Sequence, residues 1–241
     1  MVKIKLKSMK DFSILEERFG LKFKNRDLLI QAFCHRSYIN EDPQFKFGHN
    51  ERLEFLGDAV LELVVTEFLY NQYPKETEGE LTSLRAALVN TKMLSQTSYE
   101  LGFDEFILLS KGEAKEAGKA KQSIMADTFE AVIGAIYLDG GYNPCKIFIE
   151  NHLIIKLPII LEFGLHKDFK SRFQEEAQSI MGITPAYKLL EEFGPDHRKT
   201  FLLGVFLGEE MIAQGKGFSK QEAEEEAAEK ALQVKGWDQN K

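Results

Sequence analysis

Five acidic residues of this 241-residue chain stand in two runs that are otherwise apolar. Asn50 to Asp58 reads Asn-Glu-Arg-Leu-Glu-Phe-Leu-Gly-Asp and continues through Ala59, Val60, Leu61, Leu63, Val64 and Val65. On a helix of 3.6 residues per turn, Glu54 lies roughly 60° and Asp58 roughly 20° from Glu51 around the axis. The three share a narrow stripe, while Leu53, Leu56, Ala59, Val60, Leu63 and Val64 form a core face. Asp127 and Glu130, three apart, share a face of a second run that carries Phe129, Val132, Ile133 and Ile136. Glu78, after Pro74, is a sixth candidate. A carboxylate taken out of water must be paired, protonated or bound to a cation. Sets of carboxylates without His or Cys favour Mg²⁺ or Mn²⁺ over zinc. Such ions suit phosphodiester hydrolysis, because one can activate a water and a second can stabilise the leaving oxygen. Acids at i, i+3 and i+7 more often form only a solvated helix face; two such groups on two unusually apolar helices weigh against that reading.

The elements that must carry these residues can be read along the chain. Residues 1–163 read as helices throughout. Asn25 caps a helix through Leu28, Leu29, Ala32 and Phe33. The acidic helix runs to about Tyr73, where Pro74 stops it. Thr77 to Glu80 is a capping box for the next helix, and Thr91 to Leu101 continues helical. Phe103 to Leu109 reads as a short apolar connection, and Lys111 to Gln122 as a surface loop or frayed helix start. The second acidic helix spans about Ser123 to Leu138, with Ala131, Gly134 and Ala135 small enough to let another helix approach. A last helix, Pro144 to Phe163, closes the first domain. Residues 164–167 read as a linker. Residues 168–237 read helix, strand, strand, strand, helix: Lys170 to Met181, then Ala186 to Phe193, Thr200 to Leu207 and Met211 to Gly215, then a helix opened by a Ser219 to Glu222 capping box. The fold class is an all-α domain followed by an α+β (α-β-β-β-α) domain.

Composition sets the outer limits. A hydrophobic fraction of 44% supports a core, and 29% charged residues fits a chain exposed to water. Two cysteines, Cys34 and Cys145, are too few for a disulfide framework and suggest a reducing compartment. The N-terminus lacks the apolar run of a signal peptide, and no stretch approaches the ~20 apolar residues of a membrane span. The expected location is the cytoplasm, with no membrane partner. The five histidines are scattered, and no nucleophile signature is present. A net charge of −7 argues against a chain that coats nucleic acid indiscriminately. From Asp168 to Lys241 there are ten Lys and Arg against fourteen Asp and Glu, a net charge of −4. Nucleic-acid binding there must rest on placement. Lys216, Ser219, Lys220 and the N-terminus of the last helix offer one phosphate site. His197, Arg198 and Lys199 offer a second. Ser171, Gln174, Glu175 and Gln178 recur at helical spacing and could meet ribose hydroxyls in a shallow minor groove.

With these residues in view, Asn50 to Asp58 resembles the signature of the bacterial ribonuclease III family. The resemblance continues through Ser123 to Ala131 and Ala135 to Gly141. Lys170 to Glu175 and Gly215 to Lys220 are similar to that family's double-stranded-RNA-binding domain. The resemblance covers nearly the whole chain. It implies a nuclease domain and a Mg²⁺-dependent endoribonuclease, with Mn²⁺ able to substitute, that cuts double-stranded RNA. The implied products carry 5′-phosphates, 3′-hydroxyls and two-nucleotide 3′ overhangs, and the implied tasks are processing of ribosomal RNA precursors and some messenger and transfer RNAs. Glu54, Asp127 and Glu130 match metal-coordinating carboxylates. Asp58 matches the other catalytic carboxylate, acting beside Glu130. Glu51 and Glu78 match acidic positions of the cleavage valley. The family forms homodimers, and Phe55, about 40° from Glu51 around the helix, matches an aromatic that anchors the partner. Lys220-Gln221 and the acidic Glu222, Glu224, Glu225 and Glu226 depart from the family's adjacent lysines, which predicts weaker duplex binding and a shallower salt slope. At Lys119 and Lys121, where the family usually has arginine, lysine keeps the charge but loses bidentate phosphate geometry. Two competing readings are a non-catalytic double-stranded-RNA-binding regulator, opposed by the intact acids, and a hydrolase of small phosphorylated substrates, opposed by the C-terminal pattern.

Overall fold

A computed structural model describes residues 10–115, 117–166, 168–195 and 199–237. The backbone divides into two compact units, residues 1–159 and 160–241. The helices are α1 (Ser13–Phe19), α2 (Arg26–Ala32), α3 (Arg36–Glu41), α4 (Glu51–Gln72), α5 (Glu78–Val89), α6 (Thr91–Glu100), α7 (Lys119–Gly140), α8 (Tyr142–His152) and α9 (Leu157–Glu162). Then come α10 (Phe169–Met181), β1 (Ala186–Phe193), β2 (Thr200–Leu207), β3 (Glu210–Gly217) and α11 (Lys220–Lys235). Among the described residues no helix is long and apolar enough to cross a membrane.

In the first unit α7 is the central rod. Eleven of its residues are buried, from Ile124 to Ile136. A helix apolar on nearly all sides has to be surrounded, and α2, α4, α6 and α8 pack on it. Phe19, Phe33, Phe103, Phe129 and Phe148 make a chain of ring contacts with centroids 5.0–6.2 Å apart, filling the space between α7 and the shorter helices. Local chemistry sets the ends. Asn25 accepts the Asp27 N–H, and Thr77 with Glu80 completes the expected capping box. The helix expected from Pro144 to Phe163 is instead α8, a 3₁₀ turn at Ile154–Lys156, and α9. Pro158 explains the break: it lacks an N–H and fits only the first turn of a new helix. The stretch from Phe103 to Leu109 also holds more structure than expected. It contains a 3₁₀ turn, and Leu108 bridges to Cys34, fixing the segment that leads into α3.

The second unit is a three-stranded antiparallel sheet in the order β1-β2-β3, with α10 and α11 on one face. Leu203, Val205 and Leu207 alternate inward from β2, as period-2 patterning requires. Val205 and Leu207 meet Phe173 and Ala177 of α10 and the alanine stripe Ala227, Ala228 and Ala231 of α11. Gly215 and Gly217 of β3 make this approach possible. A Cβ at Gly215 would sit 2.2 Å from the Ala223 carbonyl oxygen.

Candidate metal centre and nucleic-acid interface

The α4–α7 crossing creates the acidic site. It is the most extensive helix–helix packing among the described residues. Two glycines bring the backbones together. A Cβ on Gly57 of α4 would lie 1.7 Å from the Glu130 carbonyl oxygen, and one on Gly134 of α7 would lie 2.2 Å from that of Leu53. Asn50 fixes the start of α4: it is buried, its backbone N–H reaches the Cys34 carbonyl at 2.9 Å, and its side-chain amide donates to Ala32 at 3.3 Å. Helix periodicity then aims Glu54 at α7, and Asp127 and Glu130 back at α4.

Glu54, Asp127 and Glu130 each offer an oxygen lying within 4.8 Å of the other two. All three are half-buried. Burial, followed by the negative fields of Asp58, Asp127, Glu54 and Glu62, pushes the Glu130 carboxyl up to about 8. Glu54 is raised by burial and then by Asp127, Glu51 and Asp58. Asp127 is raised by burial, opposed by a bond from its own backbone. Among the described residues no Lys or Arg pairs with any of the three. Three converging carboxylates, partly desolvated and without a counter-ion, fit a hard divalent cation. Asp58 is exposed, and its charge is the largest acting on Glu130 after burial. It flanks the cluster rather than joining it.

The other acids are arranged differently. Glu51 lies at the start of α4 and engages Arg36 at 3.2 Å and His49 at 3.6 Å. Glu78 opens α5, is exposed, and accepts from the Thr82 hydroxyl at 3.2 Å; it is outside the three-carboxylate cluster. Phe55 is 82% exposed, the highest value among the large apolar side chains described. Leu63 and Ala59, expected on the core face of α4, are instead exposed, and with Tyr70 they extend the side of Phe55 into a largely apolar strip. Sequence reasoning missed Gly57, whose signal was a glycine inside an otherwise strong helix. It also missed Arg36 and Arg85 as partners of the acidic stripe, because nothing local announces a pairing across helices.

In the second unit, Ser171, Gln174, Glu175 and Gln178 are all on the exposed side of α10. Gln174, Glu175 and Gln178 line a shallow concavity with Ser179. Asp168 caps α10, accepting the Ser171 N–H at 2.6 Å and its hydroxyl at 3.0 Å. Gln178 accepts from the Thr184 hydroxyl at 3.1 Å. Ser219 caps α11, accepting the Glu222 N–H at 3.1 Å. The capping box expected here is half formed, since Glu222 returns to the N–H of Phe218, at 2.7 Å, and not to that of Ser219. The Lys216 and Lys220 ammonium groups stand 5.6 Å and 5.9 Å from the rings of Phe193 and Phe201. Lys199 pairs with Glu192 at 3.5 Å. His197 and Arg198 lie outside the described residues.

The acidic run of α11 is bound inside its own domain. Glu224 pairs with Lys170 at 2.6 Å, and Glu225 accepts the Phe169 N–H at 3.1 Å. Glu226 accepts the Lys216 backbone N–H and pairs with Lys230 at 2.9 Å. The Lys216 bond and Lys230 hold its carboxyl below the usual range. These glutamates tie α11 to α10 and β3, so their charge is partly spent within the fold rather than facing a ligand.

Comparison with known proteins follows the same division. Residues 25–157 match the model of the family described as Ribonuclease-III-like, and residues 169–235 match the double-stranded RNA binding motif. Ribonuclease 3 of Borreliella burgdorferi is 44% identical over 218 residues, covering 90% of this chain and 89% of that protein. Ribonuclease 3 of Bdellovibrio bacteriovorus is 45% identical over 225 residues, covering 92% and 94%. A solved nuclease domain of ribonuclease III from Campylobacter jejuni, described as flexible in a region involved in dimer formation, is 42% identical. It covers 61% of this chain and 99% of its own, with a TM-score of 0.56. Matched by the family model over more than half its length and aligned almost end to end with these relatives, the chain belongs to the ribonuclease III family.

Proposed function

We propose that the protein is a Mg²⁺-dependent endoribonuclease that hydrolyses double-stranded RNA. The observation that carries this is the convergence of Glu54, Asp127 and Glu130 on one point, with no Lys or Arg paired to them among the described residues. These three would hold the ion, with Mn²⁺ able to replace Mg²⁺. When bound, the ion supplies Lewis-acid polarisation of the phosphoryl group and acidifies a coordinated water. Asp58, exposed and close enough for its charge to act on Glu130, would accept a hydrogen bond from the attacking water and orient it. Attack at phosphorus forms the new P–O bond and breaks the bond to O3′, giving a 5′-phosphate and a 3′-hydroxyl. Glu130 is the ligand most changed by binding: its proton leaves, and the charge that burial opposed is compensated.

Residues 1–163 form the catalytic and dimerising part, residues 168–237 bind the duplex, and 164–167 link them. The exposed strip headed by Phe55 packs on a second copy, so that one centre serves each RNA strand and the products carry two-nucleotide 3′ overhangs. Glu51 and Glu78 line the valley beside each centre. Ser171, Gln174, Glu175 and Gln178 face the minor groove. Lys216, Ser219 and Lys220, with His197, Arg198 and Lys199, meet phosphates. Cytoplasmic precursors of ribosomal RNA and some messenger and transfer RNAs are the substrates of this reading. The test is incubation of long duplex RNA with purified protein, with Mg²⁺ or with chelator. Mg²⁺-dependent production of short duplexes is expected; intact RNA under all conditions refutes the reading.

A further inference from the structure

The acidic stripe of α4 continues one turn beyond Asp58 to Glu62, near enough that its charge acts on Glu130. Glu62 nevertheless stands apart from the three converging carboxylates. Arg85, from α5, engages it. Its Nε lies 2.9 Å from Glu62 Oε2, and its Nη1 donates to the Thr66 hydroxyl at 3.0 Å. Glu62 and Thr66 are successive turns of one face, so the planar guanidinium spans the helix surface and fixes the carboxylate on it. Both partners are about two-thirds covered, at 35% and 37% side-chain exposure, so water does not fully screen the pair. At the other end of the stripe, Arg36 engages Glu51. Among the described residues, the acids at both ends of the stripe thus have an arginine, and Glu54 and Asp58 between them pair with none.

We propose that Arg85 is a positioning residue of the metal centre: by holding Glu62 against Thr66, it keeps a fourth carboxylate out of the ion's reach. The inference rests on the metal-centre reading above. An added carboxylate would neutralise the ion further and bind it more tightly, at the cost of the Lewis acidity that phosphodiester hydrolysis needs. Arg85 therefore sets the charge of the ligand set without touching the ion. It also does so from α5, the helix that carries Glu78 two turns earlier on the same side.

The experiment is Mn²⁺ titration of the full chain, without RNA, counting free ion by electron paramagnetic resonance. Arg85→Gln is expected to bind Mn²⁺ about fivefold more tightly, the effect of one more unit charge roughly a helix turn away. Arg85→Gln combined with Glu62→Gln returns affinity to within twofold of the unaltered protein. Thr66→Val leaves every charge in place and removes one anchor of the guanidinium; it is expected to tighten binding about twofold, and it carries the test if Arg85→Gln does not fold. Unchanged affinity in Arg85→Gln and Thr66→Val overturns the inference, as does tightening that persists without Glu62. Glu130→Gln separates this from the parent reading: binding that survives it refutes the metal centre itself, whatever Arg85 does.

Discussion

Substituting Gly57 by alanine adds a single methyl group at the point where the site is assembled. Its Cβ would lie 1.7 Å from the Glu130 carbonyl oxygen, 2.6 Å from its carbon and 2.9 Å from the Gly134 nitrogen. Carbon contacts settle near ~3.5 Å, so α4 and α7 must part locally by roughly 1.8 Å. Alanine favours the helix by ~1 kcal/mol over glycine. Overpacking costs ~1–3 kcal/mol, and more where the obstacle is backbone that no rotamer change can move. The net loss is about 2 kcal/mol or more, or ~5 °C in Tm for a unit of this size. The site is affected further, because Glu54 is on one helix and Asp127 and Glu130 on the other. Their oxygens now lie within 4.8 Å of one another, and parting the helices carries them further from the spacing at which they could share one small cation. Mn²⁺ affinity should fall at least tenfold. Thermal unfolding and ion titration on the same preparation read both effects. A Gly57→Ala protein with unchanged Tm and Mn²⁺ affinity within twofold would refute the view that this close approach builds the centre.

Three other outcomes follow from the geometry. Glu130 is raised to about 8 from 4.5, so the proton it holds contributes stability that is fully present below pH 4.5 and lost as pH rises through about 8. Metal-free protein should lose about 1–2 kcal/mol across that window, after discounting for partial solvation. Glu130→Gln should flatten the loss, and an unchanged slope by thermal unfolding in chelator argues against the assignment. Phe55→Ala should weaken self-association at least tenfold by sedimentation, since it removes the most exposed aromatic of the α4 strip; an unchanged association constant removes Phe55 as an anchor. Gln221→Lys should tighten duplex binding and steepen its salt dependence by about one counter-ion; identical slopes would mean that position 221 does not meet phosphate.

The acidic stripe was legible because a helix repeats every 3.6 residues, so spacing alone placed Glu54 and Asp58 on one face and paired Asp127 with Glu130. The order of elements was legible for similar reasons: Pro74 and the Thr77–Glu80 box mark ends chemically. What escaped depended on contacts between distant segments. Gly57 is unremarkable until α7 lies against it. Glu62 and Arg85 are 23 positions apart and meet only when α5 folds back on α4. The acidic run of α11 read as a liability for RNA binding, yet Glu222, Glu224, Glu225 and Glu226 each find a donor or cation within the domain. The final helix of the first domain was drawn too long because its apolar periodicity carries through Leu157-Pro158, although proline must begin a new helix there.

The most direct test of the central claim separates binding from cutting in one variant. Glu130→Gln keeps the shape of the side chain and removes the charge from the ligand with the most strongly raised carboxyl of the three. With a long duplex RNA and Mg²⁺, it should bind with affinity within about twofold of the unaltered protein, because the duplex-binding unit is untouched, while cleavage falls by at least ~10²-fold. Cleavage at an undiminished rate would show that the three carboxylates are not where the phosphodiester is broken.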